Sequence, residues 1–280
     1  MWKDVVNKGL RSVTGYELNK ARPATARPAG GGQRAPKKRP QAEPKPAAPE
    51  KVQRERPIPG HYDDDAKKIM HAVRPRTMTG WQKLYGLVLA TRYVVANDVP
   101  GAIVECGVWR GGSMQAAAYT LLEQDCRDRD LHLFDTFEGM PPPTEEDRRH
   151  DGTSAASLLE ANRKEHPVWA YAGLDDVRAG MAETGYPVDL VHFHQGMVED
   201  TVPDHAPEEI AILRLDTDWY SSTKHELEHL FPRLARGGVL ILDDYGHWDG
   251  ARKATDEFLA SVGEPLLLIP MSAGRIAVRR

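Results

Sequence analysis

A doubly wound α/β fold around a mostly parallel sheet is what this 280-residue sequence predicts, on three observations. From about residue 101, short apolar runs alternate with helical stretches, the pattern of repeated strand–helix units. The runs are nearly continuous in Val, Ile and Leu, as strands covered on both faces must be. The first of them leads into a glycine-rich turn, Gly107 to Gly112, followed by a helix. In order, helices are expected over 63–73 and 80–96, the second with Leu84, Leu87, Val88, Thr91 and Val95 on one face. Strand Ala102–Cys106, helix Ser113–Glu123 and strand Leu131–Asp135 follow. A loop with Pro141-Pro142-Pro143 leads to helical segments near 154–165 and 175–183. Val188–His194, Ile210–Leu215 and Val239–Leu242 read as strands, with helices near 222–235 and 250–261. Leu266–Ile269 and Arg275–Val278 would close the sheet as a pair.

The chain ahead of this domain is a different material. Residues 21–60 carry ten Lys and Arg against three Glu and are rich in Pro and Ala, whereas residues from 61 on carry a net charge of about −13. A segment without apolar periodicity cannot offset its own ordering entropy, so 21–60 is expected to be a disordered basic tail, a solvated tether rather than a nucleic-acid site. Trp2, Val5, Val6, Leu10 and Val13 recur at roughly helical spacing within residues 1–20. Such a helix has three open readings: docking on a partner, on a membrane surface or on its own domain. The organisation expected is therefore 1–20 amphipathic, 21–60 linker, 61–100 helical lid and 101–280 ligand-binding domain. No run reaches the length of a membrane span, and residues 1–21 lack the pattern of a secretory signal. Two cysteines, Cys106 and Cys126, build neither a disulfide framework nor a zinc site, which suits a cytoplasmic protein.

In doubly wound folds ligands sit beyond the carboxyl ends of the strands. After the first strand comes Glu105-Cys106-Gly107-Val108-Trp109-Arg110-Gly111-Gly112-Ser113, which is not the dinucleotide pattern G-x-G-x-x-G. An acid at that strand end suits a ligand with a cationic amine, as S-adenosylmethionine has, better than a phosphate. Asp135, ending the second strand, stands where a nucleoside ribose presents two hydroxyls; the alternative is a turn cap. Asp216 and Asp218 follow one later strand, Asp243 and Asp244 the next. Four carboxylates on one sheet edge repel unless a cation lies among them, and an all-oxygen set suits Mg²⁺, Mn²⁺ or Ca²⁺.

The stretches VRPRTMTG, VECGVWRGGS, HLFDTFEGMPPP, LRLDTDWYSST and GGVLILDDYG resemble the macrocin O-methyltransferase family, from about Val73 to the C-terminus. The resemblance implies the class I methyltransferase fold, S-adenosylmethionine and Mg²⁺. It implies that Glu105, Gly107 and Ser113 surround the methyl donor and that Asp135 takes the ribose hydroxyls. Met78, within Thr77-Met78-Thr79, would pack over the cofactor. Asp216, Asp243 and Asp244 would hold the metal, and Asp218 would be the general base, with His150 and His247 as runners-up. The acceptor implied is a hydroxyl or vicinal diol on a sugar of a natural product or glycan, and a homo-oligomer is expected. Residues 144–153 and His247-Trp248 match no pattern of the family. Two rival readings keep the fold but not the motifs: a nicotinamide-dependent oxidoreductase lacks its third glycine, and a metal-dependent hydrolase leaves the glycine turn and Asp135 without a role.

Overall fold

The computed structural model describes residues 57–162 and 166–280. The expectations for residues 1–20, and for nearly all of 21–60, fall outside the described residues. Helix α1 (Asp64–Val73) starts where Asp63 accepts the Ala66 N–H at 2.9 Å, and a 3₁₀ turn with Pro75 ends it. Helix α2 (Trp81–Ala96) buries Leu84, Leu87, Val88, Thr91 and Val94 as a 3.6-period stripe. Val95, expected on that face, is only half-buried, one position round from Val94. Arg92 ties this helical layer together, reaching Asp63 at 2.9 Å and Glu123, at the end of α3 (Gly112–Glu123), at 2.7 Å.

The strands are β1 (Ala102–Cys106), β2 (Leu131–Asp135), β3 (Val191–Gln195), β4 (Ile210–Leu215), β5 (Leu234–Leu242), β6 (Ile269–Met271) and β7 (Gly274–Val278). They form one sheet in the order β3-β2-β1-β4-β5-β7-β6, parallel from β3 to β5 and antiparallel at β7 and β6. Alternate residues face opposite ways. Ile103, Leu133, Ile212 and Ile241 pack under α1 to α3, while Val104, Phe134, Leu213 and Leu242 pack under α7 (Tyr220–Leu230) and its neighbours. The doubly wound expectation is met. A further small cluster, Ala155, Leu159, Trp219, Trp248 and Ala251, lies under the 140–169 loop with helix α4 (Ala155–Ala161).

Several boundaries differ from the expectation for physical reasons. β3 starts at Val191, because Val188–Leu190 form a 3₁₀ turn after Pro187. The helix expected over 222–235 stops at Leu230, since Pro232 has no N–H to continue it. β5 starts five residues early and carries an irregularity, pairing Leu234 with Ile210 but Val239 with Ile212. The edge strand β6 shifts to Ile269–Met271, with Pro270 at the sheet rim. The remaining helices are α5 (Leu174–Glu183), α6 (Val198–Thr201) and α8 (Asp249–Val262). Among the described residues no helix is long and apolar enough to cross a membrane.

Candidate active site

Strand order reverses between β1 and β4, the switch point beyond whose carboxyl ends such sheets bind their ligands. A cavity of about 330 Å³ lies there, lined by Met78 to Gly80, Lys83, Gly107, Trp109, Asp135, Thr136, Asp216 to Asp218, Asp243, Asp244 and His247. Met140, Pro141, Pro167, Val168 and Trp248 complete the wall.

The glycine turn is built by backbone proximity. Gly107 has φ +81°, and a Cβ there would stand 2.1 Å from the Asp216 carbonyl oxygen. Only glycine lets the β1 and β4 loops touch in this way. Gly112 makes the same allowance for the segment before α2, with Arg76 O 2.5 Å from where its Cβ would be. Asp135 reaches back over the turn. Its Oδ2 accepts the N–H groups of Val108 at 2.7 Å and Trp109 at 3.0 Å, and its Oδ1 accepts that of Phe137 at 2.8 Å. Burial pushes its carboxyl up, and these three N–H groups oppose the shift. Asp135 thus lines the cavity while bracing the glycine turn, the turn-capping alternative made concrete.

The acids after β4 and β5 converge as expected: Asp216, Asp243 and Asp244 each bring an oxygen within 4.8 Å of the others'. Two cations missed by the sequence reading sit among them. Arg214, from the apolar run of β4, is buried and pairs with Glu105, with Asp216 at 2.8 Å and with Asp243 at 2.5 Å. Lys83, from α2, pairs with the Asp243 carboxylate and also donates to its carbonyl oxygen at 2.9 Å. Burial pushes Asp243 up, but Arg214 and then Lys83 outweigh it and hold the carboxyl below its ordinary value. Asp216 and Asp244 go the other way: burial raises both, with Asp243 adding repulsion to each and Asp218 to Asp244.

Glu105 and Ser113 are brought elsewhere. Glu105 lies under the turn in the Arg214 pair rather than on the cavity wall; its Oε2 has no partner among the described residues, and burial pushes its carboxyl up to about 7. Ser113, in the first turn of α3, is also buried away from the wall. Met78 does line the cavity and is among the more exposed large side chains.

Asp218 sits at φ +69°, a left-handed conformation that costs a non-glycine residue about a kcal/mol and is least costly for Asp and Asn. The conformation carries its carboxyl to the cavity wall beside Asp244, whose Oδ2 accepts the Asp218 N–H at 3.3 Å. Burial first, then Asp216, pushes the Asp218 carboxyl up to about 7. Of the two histidines held in reserve, His247 lines the cavity, half-buried, with burial lowering its pKa. His150 is on the cavity wall nowhere; the 144–153 loop is instead pinned by buried Asp147, which accepts the N–H of Tyr220 at 2.7 Å.

The profile of the Macrocin-O-methyltransferase (TylF) family matches residues 37–273. The chain belongs to this family. The match starts further upstream than the resemblance read from Val73, inside the basic Pro-rich segment. The macrocin-type methyltransferase is 36% identical over 187 residues to 8-demethyl-8-(2,3-dimethoxy-alpha-L-rhamnosyl)-tetracenomycin-C 4'-O-methyltransferase of Streptomyces olivaceus, covering 67% of this chain and 69% of that one. It is 34% identical over 169 residues to mycinamicin III 3''-O-methyltransferase of Micromonospora griseorubida, covering 60% and 65%. Among solved structures, that of the O-methyltransferase NovP superposes with a TM-score of 0.63 at 30% identity, covering 73% of this chain and 82% of that one. The protein is an S-adenosylmethionine-dependent O-methyltransferase on a class I fold, which sets the oxidoreductase and hydrolase readings aside.

Proposed function

We propose that this methyltransferase carries a methyl group from S-adenosylmethionine to a sugar hydroxyl of a small glycosylated acceptor, with Asp218 as general base and Mg²⁺ held by Asp216, Asp243 and Asp244. The observation that carries the reading is one cavity lined by Gly107 of the glycine turn and Asp135 together with Asp216, Asp218, Asp243 and Asp244. The acceptor class rests on the relatives, one of which acts on a rhamnosyl group by name. An apolar wall from Met140, Pro141, Val168 and Trp248 suits the aglycone beside the sugar.

The residues present fit a hard divalent cation. Glu105, Asp216, Asp218, Asp243 and Asp244 outnumber Arg214 and Lys83 five to two, so positive charge is still wanting. The grouped side chains of Asp216, Asp243 and Asp244 offer only carboxylate oxygens, the ligands of Mg²⁺ rather than of zinc. When bound, Mg²⁺ would lower the pKa of an acceptor hydroxyl and fix a neighbouring hydroxyl beside it. The chain's own residues do the rest. Asp218 takes the hydroxyl proton while the oxygen pair forms the new O–CH₃ bond, and the S–C pair stays on sulfur as S-adenosylhomocysteine leaves. A carboxyl with a pKa near neutrality is suited to that task. The Met78–Gly80 segment borders the cavity where it would hold donor and acceptor in line and keep water out.

Calorimetry with S-adenosylhomocysteine, followed by transfer of labelled methyl to a panel of rhamnosides and other glycosides with and without EDTA, tests the reading. Donor binding, labelled glycoside and loss of turnover in EDTA are expected. Undiminished turnover in EDTA would remove the metal, and labelling only of sugar-free phenols would remove the sugar.

A further inference from the structure

Away from the cavity, the β2–β3 edge carries four imidazoles that methyl transfer does not use. The parallel register sets His132 opposite His192 and Phe134 opposite His194, all on one face of the sheet. His205, from the loop after α6, stacks on His194 with ring centres 5.6 Å apart. We propose that Asp130, His132 and His192 form a second metal site, for a divalent transition ion such as Zn²⁺, Co²⁺ or Ni²⁺.

Three observations on the molecule carry this. One ligand atom from each of Asp130, His132 and His192 lies within 4.8 Å of the other two, with both histidines on paired parallel strands and Asp130 in the residue just before β2. His192 Nε2 already stands 2.7 Å from Asp130 Oδ1, with the two side chains 37% and 47% exposed, so an ion enters from solvent without opening the fold. The outer contacts are in place as well: His132 Nδ1 lies 3.0 Å from His194 Nε2, which leaves Nε2 of His132 as the nitrogen free to bind and fixes its ring. The ion would replace the direct contact between His192 Nε2 and Asp130 Oδ1.

Two imidazoles and one carboxylate select borderline ions over Mg²⁺ or Ca²⁺, and three protein ligands leave a position for water. The site is distinct from the acid cluster. His132 lies three residues before Asp135, about 10 Å along the strand from the cavity end. Its consequence would be a clasp on β3, the sheet's edge strand, joining it to β2 by side chains as well as by the ladder.

The test uses the full chain with excess Mg²⁺ present, so that oxygen-only sites are already filled. Titrated Co²⁺ should add one equivalent with visible absorption typical of nitrogen-ligated cobalt, displaced by Zn²⁺. His192→Gln and Asp130→Asn should each weaken binding by roughly tenfold or more, while His229→Gln, on the far helix α7, should not. A readout without mutation accompanies these: Zn²⁺ should protect His192 from carbethoxylation by diethyl pyrocarbonate, located by mass spectrometry. Absence of Co²⁺ uptake by the unaltered chain, equal affinity in His192→Gln, or unprotected His192 at saturating Zn²⁺ would each overturn the proposal.

Discussion

Asp218 and Asp216 are two residues apart on the same loop, yet the structure gives them different surroundings. Asp216 is salt-bridged to Arg214 and shares its oxygens' neighbourhood with Asp243 and Asp244, whereas Asp218 is turned aside by its positive φ and has no ion-pair partner among the described residues. Substitution should separate them. Asp218→Asn keeps size and charge-neutral packing but removes the proton acceptor, so kcat should fall by ~10²–10⁴-fold, and added Mg²⁺ should not restore it. Asp216→Asn removes a ligand and should raise the Mg²⁺ concentration needed for half-maximal rate, with partial recovery at high Mg²⁺. Steady-state kinetics across a Mg²⁺ series reads both at once. Equal shifts in Mg²⁺ requirement would make Asp218 a ligand, and the base would then be sought at His247, which lines the cavity, ahead of His150, which does not.

At the scale of elements, the carboxyl ends of β1 and β4 are joined by Gly107 against the Asp216 carbonyl and by Arg214 against Glu105, and Arg214 extends the joint to Asp243 after β5. Even a methyl group at position 107 would collide with the backbone of the loop that follows β4. Gly107→Ala should cost ~1–3 kcal/mol from its backbone conformation alone, with the collision added, and should lower the urea midpoint before any donor-binding defect can be isolated. Arg214→Met should cost ~3–5 kcal/mol, because it leaves Glu105 and Asp243 buried without their cation. Glu105→Gln in that background should return part of the loss, a coupling that urea unfolding of the single and double variants measures. These joints also mark what was legible. Apolar runs and glycine spacing are local, so the strands, the parallel character of the sheet and the meeting of Asp216, Asp243 and Asp244 at neighbouring strand ends could be read from them. Arg214 is one charge inside IAILRL, and Lys83 lies 160 positions from Asp243, so nothing local announces that they pair. Part of the positive charge these acids call for is supplied by the chain itself, through Arg214 and Lys83.

For the molecule as a whole, a surplus of buried acid sets how stability depends on pH. Glu105 and Asp218 are pushed up to about 7 and Glu226, fully buried on α7, to about 8, in each case chiefly by burial. Glu226 accepts the Thr217 hydroxyl at 2.9 Å, while its Oε2 has no partner among the described residues. In the unfolded chain these groups titrate near the ordinary carboxyl values, so between about pH 6.5 and 8.5 they are already ionised there. The folded state still holds protons in that window and must release them as pH rises. The stability each group contributes is therefore fully present below its unfolded pKa and lost as pH climbs through its folded pKa. His132 and His194, lowered to about 4 by burial, have the opposite sign, but above pH 6.5 they are mostly neutral in both states and drop out. The cation-free enzyme should accordingly melt at a falling temperature from pH 6.5 to 8.5. Glu226→Gln isolates one contributor, because the amide oxygen still accepts from Thr217 but no proton is lost. Its melting temperature should exceed that of the unaltered protein at pH 8.5 and the excess should shrink toward pH 6.5, measured by scanning calorimetry in EDTA. An excess that is the same at both ends would mean that Glu226 destabilises through its shape, and that its ionisation is not what the folded state resists.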